Sequence, residues 1–327
     1  FAGVHRFMLP GDYVLYRLTG EMSTTRSGLS EQILWDFTEN KPAGFVAGYY
    51  GIDPRTIPQA HPSIGIQARG DAADLGLEAG TPVSYRAGDQ PNNAFSLNVL
   101  DPGEVAATGG TSGVVYGVTD VPRPDRFSRV NTFLHVNHEP RRPRYGVLLC
   151  INGTGILNAW VKKTTVPDMS YPEVNRRCAE IPVGSEGVLM LPFGNGAERM
   201  LGNRYTGAEA IGLDLNRHDR FHLLRAAQEG IAFAFRYGMD VMRETGLRLR
   251  VIRAGYANLF LSPVFRQTLA TLCGADIELY NTDGALGAAR GAALGAGLYA
   301  SREETFASLR KIDEVRPDPA DRDVLER

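Results

Sequence analysis

The chain has 327 residues, of which 43% are hydrophobic and 22% are charged. These proportions are typical of a globular protein, and because single hydrophobic cores rarely grow beyond roughly 250–300 residues, the length predicts two domains. A formal net charge of −2, with no basic run and no uncharged apolar run of bilayer length, argues against nucleic acid and membranes as partners.

The first hundred residues combine short helical patterns, loops and one clear strand. Apolar residues recur at helical spacing from Phe7, and Gly20 is a typical helix stop. The predicted elements, in chain order, are a helix over 7–18, a loop and short helix over 24–37, a short helix over 42–50, an extended loop over 57–66, a helical turn over 72–77, a strand over 82–87 and a helix over 92–100.

The rest of the chain alternates strands with helices, which predicts the layers of an α/β fold. A domain boundary is predicted near 97–102, so that 1–98 and 99–327 form separate domains. The predicted elements are two strands over 104–118 around Gly109 and Gly110, strands over 146–151, 188–191, 251–254 and 277–280, and helices over 156–163, 173–180, 220–245, 263–273 and 285–299.

Asp89 is the first candidate for chemistry. It lies in a short predicted loop at the carboxyl end of the strand over 82–87, where open α/β sheets bind ligands. A carboxylate at such a place can accept a proton from a hydroxyl. Alternatively, Asp89 caps a helix that starts at Asn92, and from the residues alone the cap is the favoured interpretation.

The second candidate is the glycine-rich turn Thr108–Gly113, which lies between two apolar strand patterns. Glycine lets backbone N–H groups close around a phosphate, although Gly-Gly between strands is also an ordinary hairpin turn. No lysine follows in the frame of a Walker A loop. Combined with Asp89, the turn suggests phosphoryl transfer to an alcohol.

Several short motifs occur in an order that resembles one known family. They are Met8-Leu9-Pro10-Gly11-Asp12-Tyr13, Tyr16-Arg17-Leu18-Thr19-Gly20-Glu21, Gly51-Ile52-Asp53, Ala79-Gly80-Thr81-Pro82-Val83, Gly110-Thr111-Ser112-Gly113 and Gly284-Ala285-Leu286-Gly287-Ala288-Ala289. Over nearly the whole chain, this order and spacing resemble the FGGY carbohydrate kinases, most closely their xylulokinase branch.

The resemblance implies a two-domain sugar kinase with the actin-like ATPase (ribonuclease-H-like) fold and with ATP in the cleft between the domains. Residues 1–98 then correspond to the C-terminal part of the sugar-binding domain, and 99–327 to the nucleotide-binding domain. The implied reaction is the phosphorylation of D-xylulose to D-xylulose 5-phosphate by ATP with Mg²⁺. The alternatives are a kinase for ribulose, fuculose, glycerol or gluconate, or a non-catalytic fragment or sugar-binding protein.

The resemblance also implies roles for particular residues. Asp89 becomes the favoured catalytic base, and Gln90 beside it is a candidate ligand of the sugar, with a solvated loop side chain as the equal alternative. The turn is expected to bind the β- and γ-phosphates through Gly109, Gly110, Thr111 and Ser112, and the adenosine loop is expected to comprise Gly255, Tyr256, Ala257 and Asn258.

The adenosine loop departs from the family's usual "GGGAkS" pattern at Ala254, Tyr256 and Asn258. Tyr256 either stacks on the base or partly blocks it, and a strand-to-helix turn without a ligand is the equal alternative. The loop Pro192–Arg199 resembles the xylulokinase "PYlsGERtP" segment, and an internal pair between Glu198 and Arg199 is predicted to hold it.

Members of the family begin with a "DxGT" strand that helps to bind metal and phosphate, and no such strand stands near Phe1. The chain is therefore expected to be a fragment with an incomplete first domain that is inactive alone, clipped also after Arg316-Pro317-Asp318-Pro319.

Cysteines and histidines predict no metal site. Cys150, Cys178 and Cys273 are odd in number and widely spaced, which favours buried, reduced thiols in a cytoplasmic protein. The six histidines show no metal-ligand spacing, and His135 and His138 are predicted to lie on the surface. A homodimer is left open.

Overall fold

The structure is a computed structural model that describes residues 3–70 and 75–326. The helical turn predicted over 72–77 begins among residues 71–74, which lie outside the described residues. The described α-helices are α1 (Pro10–Thr19), α2 (Arg26–Glu31), α3 (Gly44–Tyr49), α4 (Asp89–Ser96), α5 (Gly155–Thr165), α6 (Tyr171–Glu180), α7 (Arg220–Glu244), α8 (Pro263–Cys273), α9 (Gly284–Gly295), α10 (Arg302–Phe306) and α11 (Pro319–Leu325).

The described strands cluster in five sheets, one of seven strands and four of two. They are β1 (Ser23–Thr25), β2 (Trp35–Asp36), β3 (Lys41–Pro42), β4 (Gln59–His61), β5 (Ile64–Gly70), β6 (Thr81–Tyr85), β7 (Glu104–Gly109), β8 (Gly113–Thr119), β9 (Asn131–Leu134), β10 (Tyr145–Ile151), β11 (Leu189–Phe193), β12 (Gly207–Ile211), β13 (Val251–Gly255), β14 (Asp276–Tyr280) and β15 (Lys311–Val315).

The large sheet has the strand order β15-β14-β13-β7-β8-β10-β9. Strand β13 runs parallel to both β7 and β14, with Ile252 opposite Val105 and Ile277. The other neighbours in this sheet are antiparallel. The carboxyl ends of β7, β13 and β14 therefore lie at one edge, and the loops that follow them meet there.

Helices α7 and α8 cover the sheet and supply much of its core. The Asp219 side chain caps α7 by accepting hydrogen bonds from the N–H groups of Phe221 and His222. Apolar residues at helical spacing, including Ile231 and Phe235, are fully buried on the inner face. The predicted helices over 220–245 and 263–273 are confirmed.

The residues before the large sheet form the pairs β1–β4, β2–β3 and β5–β6. A buried ion pair anchors the end of β6, because Arg86 donates to Asp12 (2.7 Å) and also to Gln67 Oε1 (2.6 Å) and the Ser23 carbonyl (2.9 Å). Burial of one partner without the other would leave an uncompensated charge. The backbone just ahead of Asp89 is thus held in place.

Helix α9 packs closely against elements that lie far from it in the chain. A Cβ atom at Gly287 would lie 2.4 Å from the Ser96 Cβ, and one at Gly295 would lie 2.0 Å from the Ser84 carbonyl oxygen. The Ser84 hydroxyl donates to the Ala292 carbonyl (2.7 Å). Glycines therefore let α9 approach α4 and β6 at backbone distance.

Several predicted boundaries were wrong. Helix α4 begins at Asp89 and not at Asn92, with Pro91 in its first turn. The predicted loop over 57–66 contains β4 and the start of β5, and the helix predicted over 285–299 ends at Gly295. The short or edge elements β1, β2, β3, β9, β12, β15, α10 and α11 were not predicted.

The contact at Gly295 generates a stability prediction. Gly295→Ala should lower the free energy of unfolding by about 1–3 kcal/mol, because the added methyl group meets backbone that cannot rotate away. Gly48→Ala is the matched control: Gly48 lies within α3 with nothing near its Cβ position, so stability should stay equal or rise slightly. Urea unfolding measures both, and equal stability of the two variants would contradict the close packing.

Candidate active site

The predicted phosphate turn is a tight hairpin between β7 and β8, with Gly109 paired to Gly113. Its carbonyl groups point back towards helix α5: Gly110 accepts from the Gly155 N–H (3.0 Å) and Thr111 from the Ile156 N–H (3.1 Å). Within residues 3–70 and 75–326, no acceptor is paired with the N–H groups of Gly110, Thr111 and Ser112. Thr111 and Ser112 are exposed, so the turn presents free backbone donors to the surface.

A buried carboxylate supports this turn from behind. Glu198 accepts hydrogen bonds from the N–H groups of Asn152 (3.2 Å) and Gly153 (2.9 Å), in the segment that leads into α5. Its side chain is fully buried, and burial raises its pKa while these N–H groups oppose the rise. The predicted Glu198–Arg199 pair is wrong, since Arg199 donates to the Ser128 carbonyl.

The predicted adenosine loop lies next to the hairpin. A Cβ atom at Gly109 would lie only 2.9 Å from the Cβ of Leu259, which directly follows Asn258. Tyr256 donates its N–H to the Tyr280 carbonyl (3.0 Å) at the end of β14. The Tyr256 side chain is 47% exposed, so its ring is free to meet a ligand. The structure therefore brings the two predicted nucleotide loops together.

Asp89 is the first residue of α4, and its carboxylate is exposed. It accepts hydrogen bonds from the backbone N–H of Gln90 (2.8 Å) and from the Gln90 side chain (3.2 Å). Farther along α4, Asn92 donates to the Gly284 carbonyl (2.8 Å) at the start of α9. Asp89 is therefore part of a helix that is tied to the loop after β14, and not part of a free loop.

The thiol of Cys150 in β10 lies within range of the charges of Asp89, Glu198 and Arg199. Partial desolvation raises the pKa of the Cys150 thiol, the charge of Arg199 lowers it, and the charges of Asp89 and Glu198 raise it further. Cys150 pairs in register with Val114, one residue beyond the turn. Asp89 and Glu198 therefore both lie within electrostatic range of Cys150, which pairs with the strand that follows the turn. The prediction that each cysteine is buried is wrong for Cys150, which is exposed.

Glu31 is a residue of this site that the sequence did not reveal. It ends helix α2, and its carboxylate lies against the α-carbon of Gly88: a Cβ atom there would lie 2.1 Å from Oε2. Burial raises the pKa of Glu31 to about 7, and the charge of Asp89 contributes. Glu31 lies in the segment 24–37, which was predicted as a loop and short helix, and no sequence pattern there predicts a contact with Gly88.

The prediction that His135 lies on the surface is wrong. His135 is buried, and its ring nitrogens lie 3.1 Å from the Tyr116 hydroxyl and 3.0 Å from the Val99 carbonyl. Burial lowers its pKa to about 4, so this ring is neutral at neutral pH. Among the described residues, no group of three or more His, Cys, Asp or Glu side chains is placed to hold a metal ion, and no helix is long and apolar enough to span a membrane.

Comparison with known proteins decides the family. Residues 105–300, more than half of the chain, match the model of the FGGY family of carbohydrate kinases, C-terminal domain. The chain belongs to this family. It is 29% identical over 305 residues to a xylulose kinase of Bacillus subtilis, covering 91% of this chain and 60% of that protein. It is 27% identical over 333 residues to a xylulose kinase of Haemophilus influenzae, covering 97% and 64%.

The FGGY fold is also evident in solved structures. A xylulose kinase from Rhodospirillum rubrum superimposes with a TM-score of 0.88 at 26% identity, covering 100% of this chain and 66% of that one. The chain thus has the actin-like, mixed α/β fold of the FGGY sugar kinases, as the motif order predicted. It spans about three fifths of the length of the curated relatives named here.

The role of Glu198 generates a prediction. Glu198→Ala should lower the free energy of unfolding by roughly 2–4 kcal/mol, because two N–H groups lose their acceptor. Glu198→Gln keeps one amide oxygen and should lose less, and Glu209→Ala, at an exposed position of β12, should change little. Thermal and urea unfolding measure the stability of each variant. If Glu198→Ala and Glu209→Ala lose the same free energy of unfolding, Glu198 does not hold the loop.

Proposed function

We propose that this chain contributes the catalytic base and the nucleotide site of an ATP-dependent sugar kinase. The observation that carries the proposal is an exposed carboxylate, Asp89, on a helix that Asn92 ties to the chain after β14, at the edge of the sheet where the hairpin after β7 has free N–H groups. The sugar-binding region is assigned to 1–98 and the nucleotide-binding region to 99–327. The seven-stranded sheet, which begins at Glu104, supports this boundary.

On the acceptor side, Asp89 serves as the general base. The hydroxyl oxygen of the sugar attacks the γ-phosphorus of ATP, the bond between this phosphorus and the β,γ-bridging oxygen breaks, and ADP leaves. Asp89 takes the hydroxyl proton as the new P–O bond forms. Gln90 already donates to the Asp89 carboxylate, and its amide can orient both that carboxylate and a sugar hydroxyl.

On the nucleotide side, the free N–H groups of Gly110, Thr111 and Ser112 receive the β- and γ-phosphates, and Gly109 lets the adjacent loop approach. The adenosine lies along Gly255, Tyr256, Ala257 and Asn258, with the exposed Tyr256 ring available for stacking. We assign the ligands of Mg²⁺ to the phosphates of ATP, whose oxygen atoms are of the kind that Mg²⁺ prefers. When bound, Mg²⁺ neutralises charge on the transferring phosphoryl group.

The proposed acceptor is a ketopentose, D-xylulose, which yields D-xylulose 5-phosphate. Support comes from the xylulose kinases that match almost all of this chain. We further propose a cytoplasmic location, which the three free cysteines support. We also propose that the protein binds no nucleic acid. A homodimer stays open.

The base assignment makes a kinetic prediction. Asp89→Asn should lower kcat by about two to four powers of ten, since the amide no longer accepts a proton, while ATP affinity changes little. Asp168→Asn, at an exposed position after α5, is the matched control and should keep wild-type turnover. ADP release is followed in a coupled assay with D-xylulose, ribulose, glycerol and gluconate. If Asp89→Asn retains more than roughly a third of wild-type turnover, Asp89 is not the base.

The hairpin makes a binding prediction. A Cβ atom at Gly110 would meet only the Ser112 carbonyl, at 3.7 Å, so Gly110→Val should fold normally. Its side chain should cover the free N–H groups and weaken ATP binding by about tenfold or more, the loss of roughly 1.4 kcal/mol, with sugar affinity unchanged. Gly44→Val, at an open and exposed position of α3, is the control. Calorimetric titration with ATP decides: equal ATP affinity in Gly110→Val removes the hairpin from the phosphate site.

A further inference from the structure

Glu31 lies beside the residue that precedes the proposed base, and the sequence did not suggest it. Its carboxylate covers the α-carbon of Gly88, the residue immediately before Asp89: a Cβ atom at Gly88 would lie 2.7 Å from Oε1 and 2.1 Å from Oε2. Only glycine leaves room for this arrangement. Helix α2 thus delivers a second carboxyl group to the start of α4.

This carboxyl group has little to compensate a negative charge. Its Oε1 atom is buried without a hydrogen-bond partner, and so is the nearby Tyr85 hydroxyl. In the part of the chain that the structure describes, no lysine, arginine or histidine charge helps to lower the pKa of Glu31. Most buried polar atoms in proteins are paired, so an unpaired carboxyl oxygen beside a reacting group indicates a functional constraint.

The groups that face Glu31 come from three elements. Asp89 of α4 adds a like charge, and Tyr85 of β6 and Tyr116 of β8 are neutral phenols whose own pKa values burial and the Glu31 charge raise. His135, which is bonded to Tyr116, is neutral near pH 7. The N–H of Gly88 alone favours the ionised carboxylate, and burial outweighs it, so the pKa of Glu31 is about 7.

We propose that Glu31 is a positioning carboxyl of the acceptor site and that it must be protonated for full-rate phosphoryl transfer. The inference rests on the proposed kinase function and adds a regulation to that site. When Glu31 ionises, a second negative charge stands beside Asp89, where the negatively charged γ-phosphoryl group must approach. Like charges repel, and the partly buried setting screens them only weakly. When Glu31 is protonated, Asp89 alone carries charge there.

The wild-type protein, expressed from its complete reading frame, should therefore lose kcat/KM for ATP as the pH rises through about 7. The expected loss is roughly three- to tenfold, the effect of one screened charge. In Glu31→Gln, whose amide stays neutral, this loss should vanish. The kcat/KM for ATP of this variant should then be the same above pH 7 as below it. Glu21→Gln, at an exposed position after α1, is the control and should keep the wild-type profile.

A second variant guards against a folding defect in Glu31→Gln. In Gly88→Ala the new methyl group pushes the flexible Glu31 carboxylate away, so that its pKa falls towards the ordinary value and the loss moves to lower pH. Carbon-13 NMR of the glutamate carboxyl groups gives a readout that needs no kinase activity. The resonance that disappears in Glu31→Gln should titrate near 7 in the wild-type protein.

The outcomes separate the two claims. No sugar-dependent ADP release at any pH overturns the proposed function. Turnover with an alkaline loss that persists in Glu31→Gln overturns the role of Glu31 alone. A Glu31 resonance that titrates near the ordinary value of 4.5 overturns it as well, whatever the kinase assay shows. A titration near 7 together with a loss that Glu31→Gln removes supports it.

Discussion

The parallel pairing of β13 with both β7 and β14 is the constraint on which the candidate site depends. It brings three strand ends to one edge, so that the hairpin after β7 meets the loop after β13 at the contact between Gly109 and Leu259. The loop after β14 leads into α9, whose first residue accepts a hydrogen bond from Asn92 of α4. Through this chain of contacts the position of Asp89 depends on the same edge of the sheet.

Three carboxylates of the region differ in environment, and the environment decides what each can do. Glu198 is fully buried but satisfied by two backbone N–H groups, so it holds a segment in place. Asp89 is exposed in the first turn of a helix, where it accepts hydrogen bonds only from Gln90 among the described residues and can meet a ligand. Glu31 is largely buried with an unpaired oxygen, so its charge is costly near neutral pH.

Close backbone contacts hold these groups in place. Arg86 is locked by Asp12 and Gln67 ahead of Gly88, and the glycines of α9 bring that helix against β6 and α4. The glycine contacts join α9 to α4 and β6, and at Gly291 the helix lies against the Tyr85 ring. A small displacement of α9 would therefore move α4, and with it Asp89, relative to the hairpin.

Sequence patterns alone determined the α/β class, the long helix α7, the helix α8 and the family, because helical periodicity, proline and glycine stops and ordered short motifs are local features. They also pointed to Asp89 and the Gly109–Ser112 turn through their place after predicted strands. The pairing of Glu198 with Asn152 and Gly153, the burial of His135 and the approach of Glu31 to Gly88 were decided by tertiary structure. Each joins segments that are distant in the chain, and no local pattern records which side chain such a fold will bring against which backbone.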